Sequence, residues 1–314
     1  MNQRLKEILT NFQNKKILVI GDIMLDRYFY GEVSRISPEA PIPVVNLIKE
    51  KHEIGGAGNV ASNITLLGGE ATIFAFAGQD QEALTLKKLL QEKNINHFLN
   101  PAKITTCKSR IIANQQQIGL RLDKEETQNK TFNQETKNIL IEKAEQADKI
   151  IISDYSKGTI TQDLINSLHN HKHKIIADLK PKNKHLYKNL YLIKPNEKEA
   201  LEMANHEDIH QAGIKLKQEF NSNILITRGS KGMKLFSDEI IEIPTYAKEV
   251  YDVSGAGDSV IAALALALSS KATLHESAII SNYAAGIAVE KHRTHSVNLE
   301  ELKQRIFSSN NHLV

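Results

Sequence analysis

The sequence predicts an α/β fold: a mainly parallel sheet flanked by helices, with a small second sheet standing off it as a lid. Three observations lead there. Short β-branched runs recur, several of them continuous rather than alternating, as strands buried on both faces require. Stretches of helical period lie between them, and strand–helix alternation builds a parallel sheet. Two further stretches break the alternation with strand-like residues and no helical period.

Taken in order, a polar, amphipathic N-terminus (MNQRLKEILTNFQNKK) without an apolar signal core precedes the first strand, Ile17–Ile20. Asp26–Ile48 carries three prolines among strand-like residues and forms one half of the lid. Val60–Leu67 is a helix and Thr72–Ala77 the next strand. Thr105–Asp123 reads as a hairpin with a polar tip at Asn114–Gln117, the other half of the lid. The Lys- and Asn-rich stretch Asp123–Lys137 is a solvated connector. Beyond it, strands Ile150–Ser153, Lys174–Ala177, Tyr191–Lys194 and Ile224–Thr227 alternate with helices Glu135–Ala147, Thr161–His169, Glu197–Ala204 and Glu207–Phe220. The apolar helix Ser259–Leu268 follows. Ligands of such sheets sit beyond the carboxyl ends of the strands, so the residues just after each strand are the ones to inspect.

Composition narrows the function. The 314 residues suit one large α/β domain, and 41% hydrophobic with 25% charged residues is ordinary for a globular chain. Forty basic against 37 acidic residues leave +3, too little to argue for nucleic acid or an anionic membrane. The longest apolar run, Val260–Leu268, is far short of a bilayer span. A single cysteine, Cys107, excludes an intramolecular disulfide and a Cys-rich metal site, and is expected half-buried in the lid. His169, His171 and His173 fall on an exposed helix end and loop rather than around a metal. A cytoplasmic enzyme is the expectation.

Asp252-Val253-Ser254-Gly255-Ala256-Gly257-Asp258 leads into the apolar helix. Glycines flanking an alanine at a helix start leave backbone N–H groups exposed at the positive end of the helix dipole, which makes an anion hole. A carboxylate there, Asp258, can take a proton from a hydroxyl attacking phosphorus; the same string also reads as a close-packed helix start. Gly55-Gly56-Ala57-Gly58-Asn59 can bring a ligand to the backbone and offers Asn59 to a sugar hydroxyl, or is a turn before a helix. Asp22 follows the first strand, and Asp26 opens the lid. Asn196 and Glu199 at a helix start can hold a hydrated Mg²⁺ over phosphates, and equally suit an N-cap with first-turn acids. Thr227-Arg228-Gly229 ends a strand, either as a hairpin turn or as a surface for a nucleotide.

In this order, G-D, G-G-x-x-x-N, N-x-x-E, T-x-G and G-A-G-D resemble the ribokinase-like (PfkB) carbohydrate kinases, from about Lys16 to Leu299. The resemblance implies a ribokinase-like fold and a sugar kinase using ATP and Mg²⁺. By it, Asp258 is the catalytic base and Gly255, Ala256 and Gly257 form the anion hole. Asn196 and Glu199 organise Mg²⁺ through water, Thr227 and Gly229 flank the nucleotide, and Asn282 lies near adenine. Asp22, Asp26, Gly55, Gly56 and Asn59 face the sugar, and Asp252 belongs to a monovalent-cation (K⁺) site. The lid segments, about 26–48 and 105–123, pair across a homodimer. No H-x-G-H signature of a nucleotidyltransferase occurs, so residues 1–314 are expected to form a single kinase domain.

Within the family, GDIMLDRYFYG (21–31), SRISPEAPIPVV (34–45), GGAGNVASN (55–63), NQQQIGLRLD (114–123), SDYSKG (153–158) and EVYDVSGAGD (249–258) are most like kinases acting on O1 of heptose 7-phosphate for ADP-heptose and lipopolysaccharide synthesis. A phosphorylated sugar needs cations near its phosphate. Lys108, Arg110, Arg121, Lys157 and Lys180 are the candidates, with Arg110 and Lys180 placed best. The family's usual Pro-Lys after Asp178 is here Leu179-Lys180-Pro181, and the usual glycine near the C-terminus is replaced by Glu290-Lys291-His292-Arg293-Thr294. A different sugar or nucleoside kinase of this fold, or a silent sugar-binding regulator, are the alternatives.

Overall fold

The structure is a computed structural model that describes residues 2–113, 116–247, 249–253, 255–291 and 296–308. Helix α1 (Asn2–Thr10) precedes β1 (Lys16–Gly21), which passes directly into the long lid strands β2 (Ile23–Ile36) and β3 (Pro43–Gly56). Then come α2 (Ala57–Leu66), β4 (Glu70–Ala77), α3 (Gln81–Glu92) and β5 (Asn96–Pro101). The lid is completed by β6 (Cys107–Ala113) and β7 (Gln116–Lys124). Next are α4 (Gln134–Gln146), β8 (Lys149–Ser153), α5 (Gln162–Ser167), β9 (Ile175–Asp178) and β10 (Leu192–Ile193). They are followed by α6 (Glu197–Ala204), α7 (Ile209–Phe220) and β11 (Asn223–Thr227). The hairpin β12 (Met233–Phe236) and β13 (Ile240–Ile243) leads to α8 (Ala256–Ser269), α9 (Leu274–Val289) and α10 (Leu299–Ser308).

The main sheet has nine strands in the order β13-β12-β11-β10-β9-β8-β1-β4-β5. From β11 to β5 every pairing is parallel, and β12 and β13 add an antiparallel edge. Alternation within each strand divides the core in two. Ile17, Val19, Ile73 and Ile151 pack with α1, α2, α3, α8, α9 and α10. Leu18, Ile20, Phe74 and Ile152 pack on the other face with α4, α5, α6 and α7. Both faces are covered, so the strands read as continuous apolar runs, and the expected α/β architecture is the one observed.

The lid is a second sheet, β3-β2-β6-β7, parallel only between β2 and β6. β2 and β3 run past the expected 26–48 at both ends, whereas β6 and β7 nearly match the expected 105–123. Cys107 differs from expectation in being fully buried, at 3% exposure, where β6 meets the main core. The connector after β7 is not merely solvated either: Phe132 is buried against Phe74 and Phe76. The strand expected over Tyr191–Lys194 contracts to two residues, and Lys194 just past it lines the cleft described next.

Candidate active site

Five neighbouring parallel strands end on one edge of the sheet, and each delivers polar residues there. Thr227 ends β11, Lys194 and Asn196 follow β10, Asp178 ends β9, Asp154 and Tyr155 follow β8, and Asp22 follows β1. Helix α8 points its N-terminus at the same place. Its N-cap is Gly255 at φ 77, a left-handed conformation that glycine adopts without strain, and no side chain among the described residues caps the first turn. The N–H groups and the dipole of a buried 14-residue helix are thereby aimed into a cleft of about 410 Å³. Asn196, Glu199, Thr227, Gly255, Gly257, Asp258 and Lys180, all singled out in the sequence, line it.

Tyr155, Asp178 and Lys194 line it too, and sequence reasoning did not single them out. The strand-end rule was the signal that pointed to them, since each stands at or just past a strand terminus. Tyr155 lies within the SDYSKG run (153–158), but no motif read in the sequence gave any of the three a role in the site.

Asp258 is 6% exposed and lies in the first turn of α8. Its Oδ2 accepts a hydrogen bond from Asn59 Nδ2 at 2.7 Å and its Oδ1 one from the Tyr155 hydroxyl at 2.9 Å. Burial pushes the carboxyl up to about 6, and nearby Asp178 adds to the rise. The bonds from Asn59 and Tyr155, with Lys194, pull the other way. A buried carboxylate that loses its proton near neutrality suits a general base.

Beside it, Lys194 is 3% exposed and sits 2.9 Å from Asp178 Oδ2. A Cβ placed on Gly257 would lie 3.7 Å from Lys194 Nζ, so this cation borders the helix start. Burial raises the Asp178 carboxyl against the pull of Lys194. Asn196 and Glu199 form a capping box at the start of α6, with Asn196 Oδ1 accepting from the Glu199 N–H at 2.8 Å and Glu199 Oε2 from the Asn196 N–H at 3.0 Å. Glu199 Oε1 also pairs with Lys180 at 2.5 Å. Burial opposes the Lys180 charge, yet the bond to Glu199 outweighs it and raises the lysine above its ordinary range.

The residues expected on the sugar side cluster where β1, β2, β3 and α2 meet. Asp26 Oδ1 pairs with Arg110 at 2.6 Å, and a Cβ on Gly55 would fall 2.1 Å from Asp26 Oδ2. Gly56 takes φ 60 with its Cβ position 2.3 Å from the Asp22 carbonyl, so only glycine fits there. Asp22 is 2% exposed, and its carboxylate is spent on the chain itself: Oδ2 accepts from the N–H groups of Tyr155 and Lys157, Oδ1 from that of Thr159. It therefore holds the loop after β8 rather than presenting open oxygens.

Other expected residues stand apart from the cleft lining. Asn282, on α9, donates to the Pro244 carbonyl at 2.6 Å and ties down the segment after β13. Gly229, at φ 55, starts the short turn between β11 and β12 with open space around it, and Ala256 opens α8. The Asp252 N–H donates to the Val289 carbonyl. Ser254 and residues 292–295, most of the turn where the family's usual glycine is replaced, lie outside the described residues.

Of the five candidate cations, Arg110, Arg121, Lys157 and Lys180 pair with Asp26, Asp123, Glu125 and Glu199. Lys108 makes no ion pair among the described residues; its Nζ sits 6.0 Å from the Tyr155 ring centre, and burial lowers its pKa. Arg110 and Lys180, placed best from the sequence, thus each carry an acidic partner, which Lys108 does not among the described residues. Among the described residues, no three His, Cys, Asp or Glu side chains are grouped to hold a metal, and no helix is long and apolar enough to cross a membrane.

Comparison with known proteins places this geometry. The bifunctional protein HldE of Nitratiruptor sp. is 40% identical over 299 residues, 92% of this chain and 64% of that protein. The bifunctional protein HldE of Sulfurimonas denitrificans is 37% identical over 313 residues, 95% of this chain and 65% of that protein. The chain thus spans just under two thirds of the length of these relatives. Phosphofructokinase-2 from Escherichia coli in complex with potassium superposes with a TM-score of 0.75 at 20% identity, covering 95% of this chain and all of that one. Arabidopsis thaliana ribokinase complexed with ribose and ATP gives 0.74 at 17%, covering 94% of this chain and 99% of that one. These likenesses establish the ribokinase-like fold. The model of the pfkB family carbohydrate kinases matches residues 14–301, and with the helix-start aspartate in place this chain belongs to that family.

Proposed function

We propose that the protein transfers the γ-phosphoryl group of ATP to O1 of D-glycero-D-manno-heptose 7-phosphate, giving the 1,7-bisphosphate and ADP, on the route to ADP-heptose and the lipopolysaccharide inner core. The observation that carries the chemistry is Asp258, buried at the uncapped start of α8 with both carboxylate oxygens held. The narrower substrate rests on the heptose-kinase-like runs in the sequence and on the name HldE shared by its curated relatives.

In this reading Asp258 accepts the proton of O1 as the hydroxyl oxygen attacks the γ-phosphorus. The O1–P bond forms, the bond from phosphorus to the β,γ-bridging oxygen breaks, and ADP leaves. The N–H groups at Gly255–Gly257 and the buried Lys194 receive the charge that builds on the transferring group. Asn59 and Asp26 face the sugar, Gly55 and Gly56 let it approach the backbone, and Asp22 acts through the loop it holds. The 7-phosphate is assigned to Lys108, with Arg110 alongside. A half-buried lysine without an ion partner among the described residues gains most from a phosphate dianion.

Nucleotide contacts fall to Thr227, Gly229 and Asn282, and the phosphates to Asn196 and Lys180. Glu199 retains a lone pair on each oxygen beyond its present bonds, which fits a Mg²⁺ held through water rather than caged by protein. Bound there, Mg²⁺ would offset phosphate charge. Asp252 is assigned to a K⁺ site. A homodimer through the lid sheet accounts for Ile36, Ile42, Leu47, Ile48, Leu120 and Leu122, all more than half exposed. A cytoplasmic location completes the reading.

Phosphorus-coupled NMR of the product formed from ATP and heptose 7-phosphate tests the regiochemistry. A new phosphorus signal coupled to the anomeric proton is expected. A new phosphate at any other carbon would overturn the O1 assignment.

A further inference from the structure

The loop after β8 is fixed to an unusual degree. Asp22 accepts from the N–H groups of Tyr155 at 2.8 Å, Lys157 at 3.0 Å and Thr159 at 3.1 Å. From the other side Asp154, 3% exposed, accepts from the Ser156 N–H at 2.7 Å, Asn183 Nδ2 at 2.8 Å and the Tyr187 hydroxyl at 2.7 Å. Ser156 and Gly158 both take positive φ, at 56 and 90, and a Cβ on Gly158 would fall 1.9 Å from the Gln128 carbonyl oxygen. Lys130 closes the arrangement by donating to the Lys157 carbonyl. A left-handed non-glycine residue persists only where its surroundings over-determine it.

What this fixed loop presents to the cleft is one hydroxyl. The Tyr155 oxygen stands 2.9 Å from Asp258 Oδ1, while Lys180 and Lys108 flank the ring at 5.8 and 6.0 Å. Burial, then the Asp258 and Asp178 charges, raise the Tyr155 phenol well above its ordinary value, so the hydroxyl keeps its proton and donates. Two buried carboxylates, Asp22 and Asp154, are thus committed to holding a loop whose product is a hydrogen bond to a third.

We propose that Tyr155 is a positioning residue for the base: its hydroxyl fixes the orientation of the Asp258 carboxylate and favours its ionised form. This rests on Asp258 being the base. The groups that face Asp258 come from five elements. Asn59 on α2 and Tyr155 after β8 donate to it. Asp178 at the end of β9 opposes its charge, Lys194 after β10 supports it, and Lys180 with Glu199 on α6 borders the same cleft. Among these, Tyr155 is a neutral donor that can be removed while its ring stays.

The test is Tyr155→Phe, read as the pH dependence of kcat/KM for the sugar at saturating ATP. A donated hydrogen bond stabilises the ionised carboxylate, so its loss raises the pKa of the base. The acidic limb, reporting Asp258 at about 6 in the wild type, is expected to move up by about one pH unit. The rate below the limb then falls roughly tenfold, and the alkaline plateau changes by no more than about threefold. A limb that stays put, whether or not the whole profile drops, overturns the proposal, because a purely structural role lowers all pH values alike. Site-specific 3-fluorotyrosine at position 155, a stronger donor that keeps the shape, is expected to move the limb the opposite way. No movement there overturns the proposal even if the Phe variant folds poorly. Asp258→Asn run in parallel separates the two readings: if it turns over normally, the base assignment fails, and otherwise an unmoved limb is charged to Tyr155 alone.

Discussion

Asp258 stands under opposing demands. Its carboxyl is held at about 6 against an ordinary 3.8, chiefly by burial, so the folded chain binds this proton more tightly than the unfolded chain. The stability that the protonated carboxyl contributes is full below the unfolded value and is lost as pH rises through about 6. At neutral pH the ionised group therefore costs the fold on the order of 1–3 kcal/mol. Asp258→Asn is expected to raise the melting temperature at neutral pH by several degrees and to lower turnover by about 10⁴-fold, with ATP binding retained. Calorimetry at neutral and acidic pH, beside a turnover assay, checks both. Normal turnover would remove Asp258 from the chemistry, and loss of stability at neutral pH would make it a structural group. At this scale Asp258, its glycines and Asn59 were readable, because a carboxylate among glycines at a helix start is a local pattern. The roles of Tyr155, Asp178 and Lys194 were not: Tyr155 was read only as part of the SDYSKG run and Asp178 only as the residue before a loop, and each gains its meaning from partners distant in sequence.

Among the described residues, helix α8 has no side-chain cap of the kind that α3, α4, α6, α7 and α9 possess. In the proposed function its first-turn N–H groups serve a phosphate, and Gly257 leaves the approach open. A Cβ at Gly257 would meet Lys194 Nζ at 3.7 Å and Asp178 Oδ2 at 3.8 Å, which is ordinary contact. Gly257→Ala is therefore expected to keep or slightly raise stability, by up to about 1 kcal/mol, because alanine is the better helix residue. The same methyl narrows the anion hole, and kcat is expected to fall about 10²-fold. Thermal melts and initial rates measured together check this; unchanged kcat would mean that phosphate does not occupy the helix start. By contrast Asn196→Ala removes a capping box and is expected to cost about 1 kcal/mol in a denaturant titration, whatever its effect on ATP. The strands of the parallel core were legible from continuous apolar runs, whereas β5 (NHFLNP) and the hairpin β12–β13 were missed. β5 and β13 are the edges of the main sheet and are only partly buried, so neither carries the apolar signature of a central strand.

Across the whole molecule, the lid stands off the main sheet with a row of bare apolar side chains along β2, β3 and β7. Ile48 is 67% exposed and Leu122 56%. If two copies clasp through this surface, the Ile48→Glu, Leu122→Glu variant should sediment as a monomer where the wild type sediments as a dimer. A monomeric wild type at micromolar concentration would refute the clasp. The lid was legible as two strand-like breaks in the strand–helix alternation, the first carrying three prolines and the second a polar tip, and its two halves do pair, through β2 and β6. Its cations were harder to rank. Arg110 and Lys180, placed best from their positions by strand ends, carry acidic partners from elsewhere in the fold, Asp26 and Glu199, and only the folded chain shows Lys108 without one among the described residues.

The most direct test of the proposed activity is ADP release with Mg·ATP across heptose 7-phosphate, fructose 6-phosphate and ribose. Strong stimulation by heptose 7-phosphate alone, lost in Asp258→Asn, is the expected result. Equal or greater stimulation by another sugar would contradict the heptose assignment, and stimulation that survives in Asp258→Asn would contradict the mechanism.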